Sequence, residues 1–166
     1  EPITAEDVAF SLNAIVHPDY QSNLNAHLSI LEGTDHAGRL LEEYDELPGV
    51  EAIDEYTLSF RTKHPVDLDL AKHAVGYQVY IAPSHIFGEL DPAEATTSEH
   101  STQPTVTSGP YKFVEYDEDN YVHLDANEDY YRGSPEIETI YSRVLNSSLL
   151  TTEFQAGNLH MTAGGG

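Results

Sequence analysis

Gly49-Val50-Glu51-Ala52-Ile53-Asp54-Glu55-Tyr56-Thr57-Leu58-Ser59-Phe60 is the stretch where the periodicity of this chain changes. Val50, Ala52, Tyr56, Leu58 and Phe60 alternate with polar residues around Asp54-Glu55. A period of two sends every second side chain to one face, so the stretch predicts an antiparallel β-hairpin. The N-terminal residues have helical spacing instead. Thr4-Ala5-Glu6-Asp7 leads into Val8, Phe10, Leu12 and Ile15, with Thr4 placed to accept an N–H as the N-cap and Asp7 placed to answer from the third position. That helix is predicted to stop near His17-Pro18. Both periods in one chain predict a mixed α and β fold.

Between helix and hairpin, residues 19–25 read as a polar loop punctuated by Tyr20 and Leu24. Leu28, Ile30 and Leu31 read as a short helical turn ending at Gly33, and residues 39–46 as a helix closed by Pro48-Gly49. Beyond the hairpin, Leu68, Leu70, Ala71 and Val75 suit a brief helix, and residues 77–81 a buried strand running into Pro83. Residues 91–107, rich in Pro, Thr, Ser and Glu, are the linker candidate. Two alternating runs follow, residues 111–116 and 121–124, joined by Asp117-Glu118-Asp119-Asn120 as a turn. Residues 130–135 read as a compact loop, 140–145 as a third strand, 148–156 as a helix capped at Gly157, and 159–161 as a last short strand.

The charge excludes whole classes. Asp and Glu number 29 against 7 Lys and Arg in 166 residues, a formal net charge of −22. A nucleic-acid binder needs a basic face that releases counterions, and an anionic membrane surface repels a chain like this one. Such acidity marks either disorder or a folded protein kept hydrated in strong salt. Eleven Tyr and five Phe in regular patterns favour a folded, salt-adapted protein over disorder. A merely acidic protein of ordinary salt is the alternative. In molar salt the Debye length is about 3 Å, which screens repulsion among the carboxylates.

With no Cys, disulfides, thiolate zinc sites and cysteine nucleophiles are excluded. No stretch approaches the roughly 20 apolar residues of a membrane span, and Glu1-Pro2-Ile3-Thr4 has no signal-peptide character. The nine His show neither an H-E-x-x-H motif nor close helical pairing, and Asp117-Glu118-Asp119 lacks the twelve-position calcium pattern, so no metal site is expected. There is no G-x-S-x-G elbow and no glycine fingerprint for a dinucleotide. The expectation is a non-enzyme without cofactor.

Five strings, in order, resemble the extracytoplasmic solute-binding proteins of oligopeptide, dipeptide and nickel ABC importers, family 5. They are Pro2-Ile3-Thr4-Ala5-Glu6-Asp7-Val8-Ala9-Phe10-Ser11-Leu12, the residues 49–60 quoted above, Ser108-Gly109-Pro110-Tyr111-Lys112-Phe113-Val114, Leu124-Asp125-Ala126-Asn127-Glu128-Asp129-Tyr130-Tyr131, and Gln155-Ala156-Gly157-Asn158-Leu159-His160-Met161. The resemblance implies a periplasmic-binding-protein-like II fold, α/β in the mixed α+β sense, present in part. Residues 1–100 would be the family's small extra subdomain and 101–166 part of the first ligand-binding lobe. It implies a fragment of a longer lipoprotein, whose secretion signal, upstream sheet segment and second lobe lie elsewhere. Together with the charge it points to a halophilic archaeon as the source.

The function so implied is capture of a peptide or similar solute outside the cell, at the extracellular face of the membrane, for delivery to an ABC permease. The loop after the first helix would approach ligand at Asn23 and Leu24. Gly109 and Tyr111 would lie where the chain re-enters the first lobe near the cleft, although Gly109-Pro110 also serves simply as a loop entering a strand. Ala163 and Gly164 would follow the last strand and leave room for a bulky ligand. Departures from the family pattern fall at Asn13-Ala14, at Tyr131 where Trp is usual, and at Thr107-Ser108. A free-standing acidic interaction module, and a metal-dependent enzyme with converging His and carboxylates, are the rival readings. Strand edges left open at residues 111–116 and near Leu159 predict self-association of the chain.

Overall fold

Helix α1 (Ala5–Val16) begins where Thr4, extended at φ −112° and ψ 170°, accepts the Asp7 N–H on its hydroxyl at 3.4 Å, while Asp7 Oδ2 accepts the Thr4 N–H at 2.9 Å. It ends at His17 (φ −59°, ψ 134°), because Pro18 disfavours helical ψ in the residue before it. The computed structural model describes residues 2–20 and 22–162. They divide into two units, Glu1–Thr102 and Gln103–Gly166.

In the first unit the buried face of α1 presents Leu12, Ile15 and Val16. A 3₁₀ segment, Leu24–Ile30, brings Leu28 and the following Leu31 against them, and Leu47, Ala74, Val75 and Val79 complete the core. Each fully buried Leu contributes about 1.5–3 kcal/mol relative to exposure. The hairpin β1 (Val50–Asp54) and β2 (Thr57–Phe60) pairs Val50 with Phe60 and Ala52 with Leu58. The Ala5 N–H donates to the Glu55 carbonyl at 2.8 Å, tying the hairpin tip to the start of α1.

Asp7 is a second tie. Its Oδ1 accepts the Ser84 hydroxyl at 2.7 Å and the Ser84 N–H at 3.0 Å, at the start of α3 (Ser84–Phe87). Burial pushes this carboxyl up, but the hydrogen bonds from Ser84 and Thr4 outweigh it and bring the pKa down from the usual 3.8 to about 2. Ser11, one turn on, accepts the Ala82 N–H at 2.8 Å.

These ties explain where the expected elements fail. Residues 77–81 form no strand: α2 (Leu68–Ala71) continues as a π-helical stretch, Lys72–Tyr77, and the chain then runs irregularly to Pro83. Only Val79 turns into the core, while Tyr77 and Tyr80 are 76% and 82% exposed. The backbone beyond them bonds to Ser11 and Asp7 of α1 instead of to a neighbouring strand. Residues 39–46 are not helical either. Their N–H groups reach distant acceptors, Leu40 to the Val16 carbonyl and Leu41 to the Gly33 carbonyl, both at 2.9 Å, and Leu47 closes the segment on Asn13 Oδ1 at 2.7 Å. Gly38 permits this path: its φ is +79°, and a Cβ there would collide with the Asn25 carbonyl. The stretch expected to be a linker holds a 3₁₀ turn, Ala95–Thr97, with Ala95 buried, and α4 (Glu99–Thr102).

The second unit is an antiparallel sheet in the order β3 (Tyr111–Asp117), β4 (Tyr121–Ala126), β5 (Thr139–Arg143), followed by α5 (Ser147–Gln155). A bulge lies between Phe113 and Glu115. Tyr111, Phe113 and Tyr116 stand opposite Ala126, Leu124 and Val122, and Ile140 stands opposite Leu124, so the register collects the apolar residues on one face. The other face carries His123, stacked on Tyr141 at 4.4 Å and bonded to Asp125 at 3.1 Å. Among the described residues of this unit only Asn127 is buried. No strand forms at residues 159–161; they continue irregularly after the turn at Gly157, which has φ +78°.

Candidate functional site

The loop that leaves α1 winds back on itself. The Tyr20 N–H donates to the His17 carbonyl, the Ser22 N–H to the Tyr20 carbonyl, both at 3.1 Å, and the Leu24 N–H to the Ser22 hydroxyl at 3.0 Å. The winding leaves a concavity of about 790 Å³ lined by Pro18, Tyr20, Ser22, Asn23, Leu24, Arg39, Tyr80 and Thr96. Tyr20 and Leu24 each pack one side against the hydrophobic core and turn the other to this space. Asn23 is exposed, and among the described residues its amide makes no hydrogen bond. Arg39 Nη1 donates to the Pro18 carbonyl at 3.1 Å, which holds the guanidinium at the rim.

Asn23 and Leu24, expected from the sequence, therefore lie together on one wall. Pro18, Tyr20, Ser22, Arg39, Tyr80 and Thr96 join them without having been singled out. A helix over residues 39–46 and a buried strand over 77–81, as the sequence predicts, leave neither Arg39 nor Tyr80 as a surface group. The polar–aromatic composition of Tyr77-Gln78-Val79-Tyr80, with Val79 its one aliphatic residue, is the signal that could have found Tyr80.

A second, smaller concavity of about 390 Å³ is lined by Thr4, Glu6, Ala52, Ile53, Asp54 and Glu55, acidic throughout its charged lining. The Tyr56 N–H holds the Asp54 carboxyl below its usual range. Among the described residues no group of three or more His, Asp and Glu converges as for a metal ion. No helix there is long and apolar enough to cross a membrane.

Gly109 and Tyr111 belong to the second unit. The Gly109 carbonyl accepts the Asn127 side-chain amide at 3.1 Å, and the Asn127 N–H donates to the Pro110 carbonyl at 2.8 Å, so a buried Asn pins the turn that opens β3. Tyr111 is half-buried opposite Ala126. Gly109 has no positive φ, and a Cβ on it would meet nothing closer than the Tyr111 carbonyl oxygen at 3.8 Å. Ala163 and Gly164 lie outside the described residues.

The profile of the bacterial extracellular solute-binding proteins, family 5, middle region, matches residues 1–166. The chain belongs to this family. The oligopeptide-binding protein AppA of Bacillus subtilis is 27% identical over 159 residues, which are 95% of this chain and 26% of that protein. The di/tripeptide-binding protein 2 of Pseudomonas aeruginosa is 30% identical over 134 residues, 81% of this chain and 24% of that protein. The solved structure of Bacillus subtilis AppA in complex with a nonapeptide superposes with a TM-score of 0.78 at 26% identity, covering 96% of this chain and 28% of that one. The chain thus has part of the periplasmic-binding-protein-like fold of the family 5 proteins. It spans about a quarter of the length of the curated relatives it matches.

Proposed function

We propose that this chain is part of the substrate-binding component of an ABC importer, capturing a peptide or similar solute outside the cell and handing it to a membrane permease. The observation that carries this reading is the concavity at Asn23 and Leu24, formed on the loop after α1 in a chain whose family relatives bind oligopeptides and di- or tripeptides. Its lining suits a peptide: aromatic and aliphatic surface from Tyr20, Leu24 and Tyr80 for side chains, and the amide of Asn23 for a backbone group. In the same reading residues 1–100 are the small extra subdomain and 101–166 part of the first lobe. Gly109, Tyr111, Ala163 and Gly164 are further ligand-binding residues in this reading. The full-length protein is secreted or lipid-anchored, and it acts by binding and release, without catalysis. Two-lobe closure makes affinity depend on contacts formed only in the closed state.

Calorimetry of the full-length protein against a random peptide pool tests the reading. The native protein binds the pool, and Ala163→Trp, which fills the cleft, abolishes binding while the thermal transition stays in place. Undiminished affinity in that variant would remove Ala163 from the site, and no binding by the native protein would overturn peptide capture.

A further inference from the structure

Cations are scarce in this chain, and most are committed. Of the seven Lys and Arg, Arg61, Lys72, Lys112 and Arg143 pair with Glu32, Asp69, Asp129 and Glu153 at 2.9, 3.6, 3.6 and 3.1 Å. Lys63 donates to the carbonyls of Ser29 and Asp35, and Arg132 lies over the Tyr131 ring at 5.2 Å. Arg39 differs: among the described residues its guanidinium bonds only to the Pro18 carbonyl, and no carboxylate lies within ion-pair distance. Asp19, the neighbour of Pro18, faces His17 at 3.9 Å, and Asp35, four residues before Arg39, accepts the backbone N–H groups of Ala37 and Arg39 on Oδ1 at 2.8 and 2.9 Å, not the guanidinium.

Among the described residues the charged lining of the two concavities of the first unit differs in sign: Glu6, Asp54 and Glu55 in the smaller, Arg39 in the larger. We propose that Arg39 recognises a carboxylate of the captured peptide in the concavity beside Leu24, a specificity contact that rests on the peptide-capture reading above. The bond to Pro18 fixes one corner of the planar guanidinium and leaves other N–H donors of the fork for a planar anion, a match that a Lys would not reproduce. The net charge of −22 repels an anionic ligand at a distance, so recognition has to be local. Molar salt, with a Debye length of about 3 Å, suppresses the distant repulsion and leaves a direct contact largely intact.

The carboxylate is either the peptide's C-terminus or an acidic side chain, and calorimetry separates the two. The probes for the full-length protein are tri-alanine and its C-terminal amide, then alanyl-glutamyl-alanine amide and alanyl-glutaminyl-alanine amide. Native protein binds the carboxylate member of one pair about 10- to 100-fold more tightly, as expected for a charge-assisted contact. The first pair identifies the terminus and the second the side chain. Arg39→Gln erases that preference and binds the neutral member as the native protein does, which also shows that the variant is folded; Arg39→Lys keeps part of the preference. The proposal is overturned if the native protein shows no preference in either pair, if Arg39→Gln retains the native ratio, or if it loses both members of a pair equally. If the native protein binds neither these probes nor a random peptide pool, the peptide-capture reading fails and the Arg39 contact falls with it. Failure of the Arg39 contact alone leaves native peptide binding intact.

Discussion

Replacing Asp7 by Asn separates a structural carboxylate from the many solvated ones. Asp7 is 9% exposed and accepts four hydrogen bonds, two on each oxygen, from Thr4 and Ser84. Its pKa is brought down from the usual 3.8 to about 2. A shift of that size corresponds to the charged form stabilising the fold by roughly 2 kcal/mol. The folded-state pKa is the lower one, so this stabilisation is fully present above the unfolded value of 3.8 and is lost as pH falls through about 2. Asn presents an NH₂ group where one oxygen accepted two donors, so Asp7→Asn should cost about 2–4 kcal/mol at pH 7. The gap between variant and native protein should narrow steadily between about pH 5 and pH 2. Urea denaturation in strong KCl, followed by the near-ultraviolet signal of the tyrosines, measures it. A gap below about 0.5 kcal/mol at pH 7, or one unchanged at pH 2, would refute the clamp.

Charge predicts that the melting temperature rises between low salt and molar KCl, since −22 is unscreened in dilute buffer; a flat or falling scan would contradict this. Gly38→Ala should cost about 2–4 kcal/mol, from both the positive φ and the collision with the Asn25 carbonyl, whereas Gly133→Ala, at φ +96° in open space, should cost about 1–2. Equal losses in chemical denaturation would show that the close approach at Gly38 is wrong. The chain alone should self-associate through the apolar face of β3, β4 and β5, where Phe113, Leu124 and Ile140 are only half-buried and the outer strands have open edges. Light scattering that gives a strict monomer at every concentration would count against it.

The elements legible in the sequence are those fixed by neighbours in the chain. Thr4, Asp7 and Pro18 are a local start and stop for α1, and the alternation of residues 50–60 and 111–126 carries its own register into the hairpins. Residues 39–46 have helical composition, yet the N–H groups of Leu40 and Leu41 are taken by the Val16 and Gly33 carbonyls and that of Leu47, just beyond, by Asn13, acceptors that only the folded core brings near. Residues 77–81 look apolar enough for a buried strand, but Ser11 and Asp7 capture the backbone just beyond, and two tyrosines are left in solvent. The site divides the same way. Asn23 and Leu24 are legible through the family resemblance of one loop, whereas Arg39, Tyr80 and Thr96 reach the concavity from three other segments that this loop's pattern does not touch.

Mass spectrometry of the full-length protein, purified natively and then denatured, tests peptide capture most directly. The account predicts that peptides are released on unfolding and that a random peptide pool reloads the refolded protein. A protein that carries no peptide and takes none from the pool would contradict it.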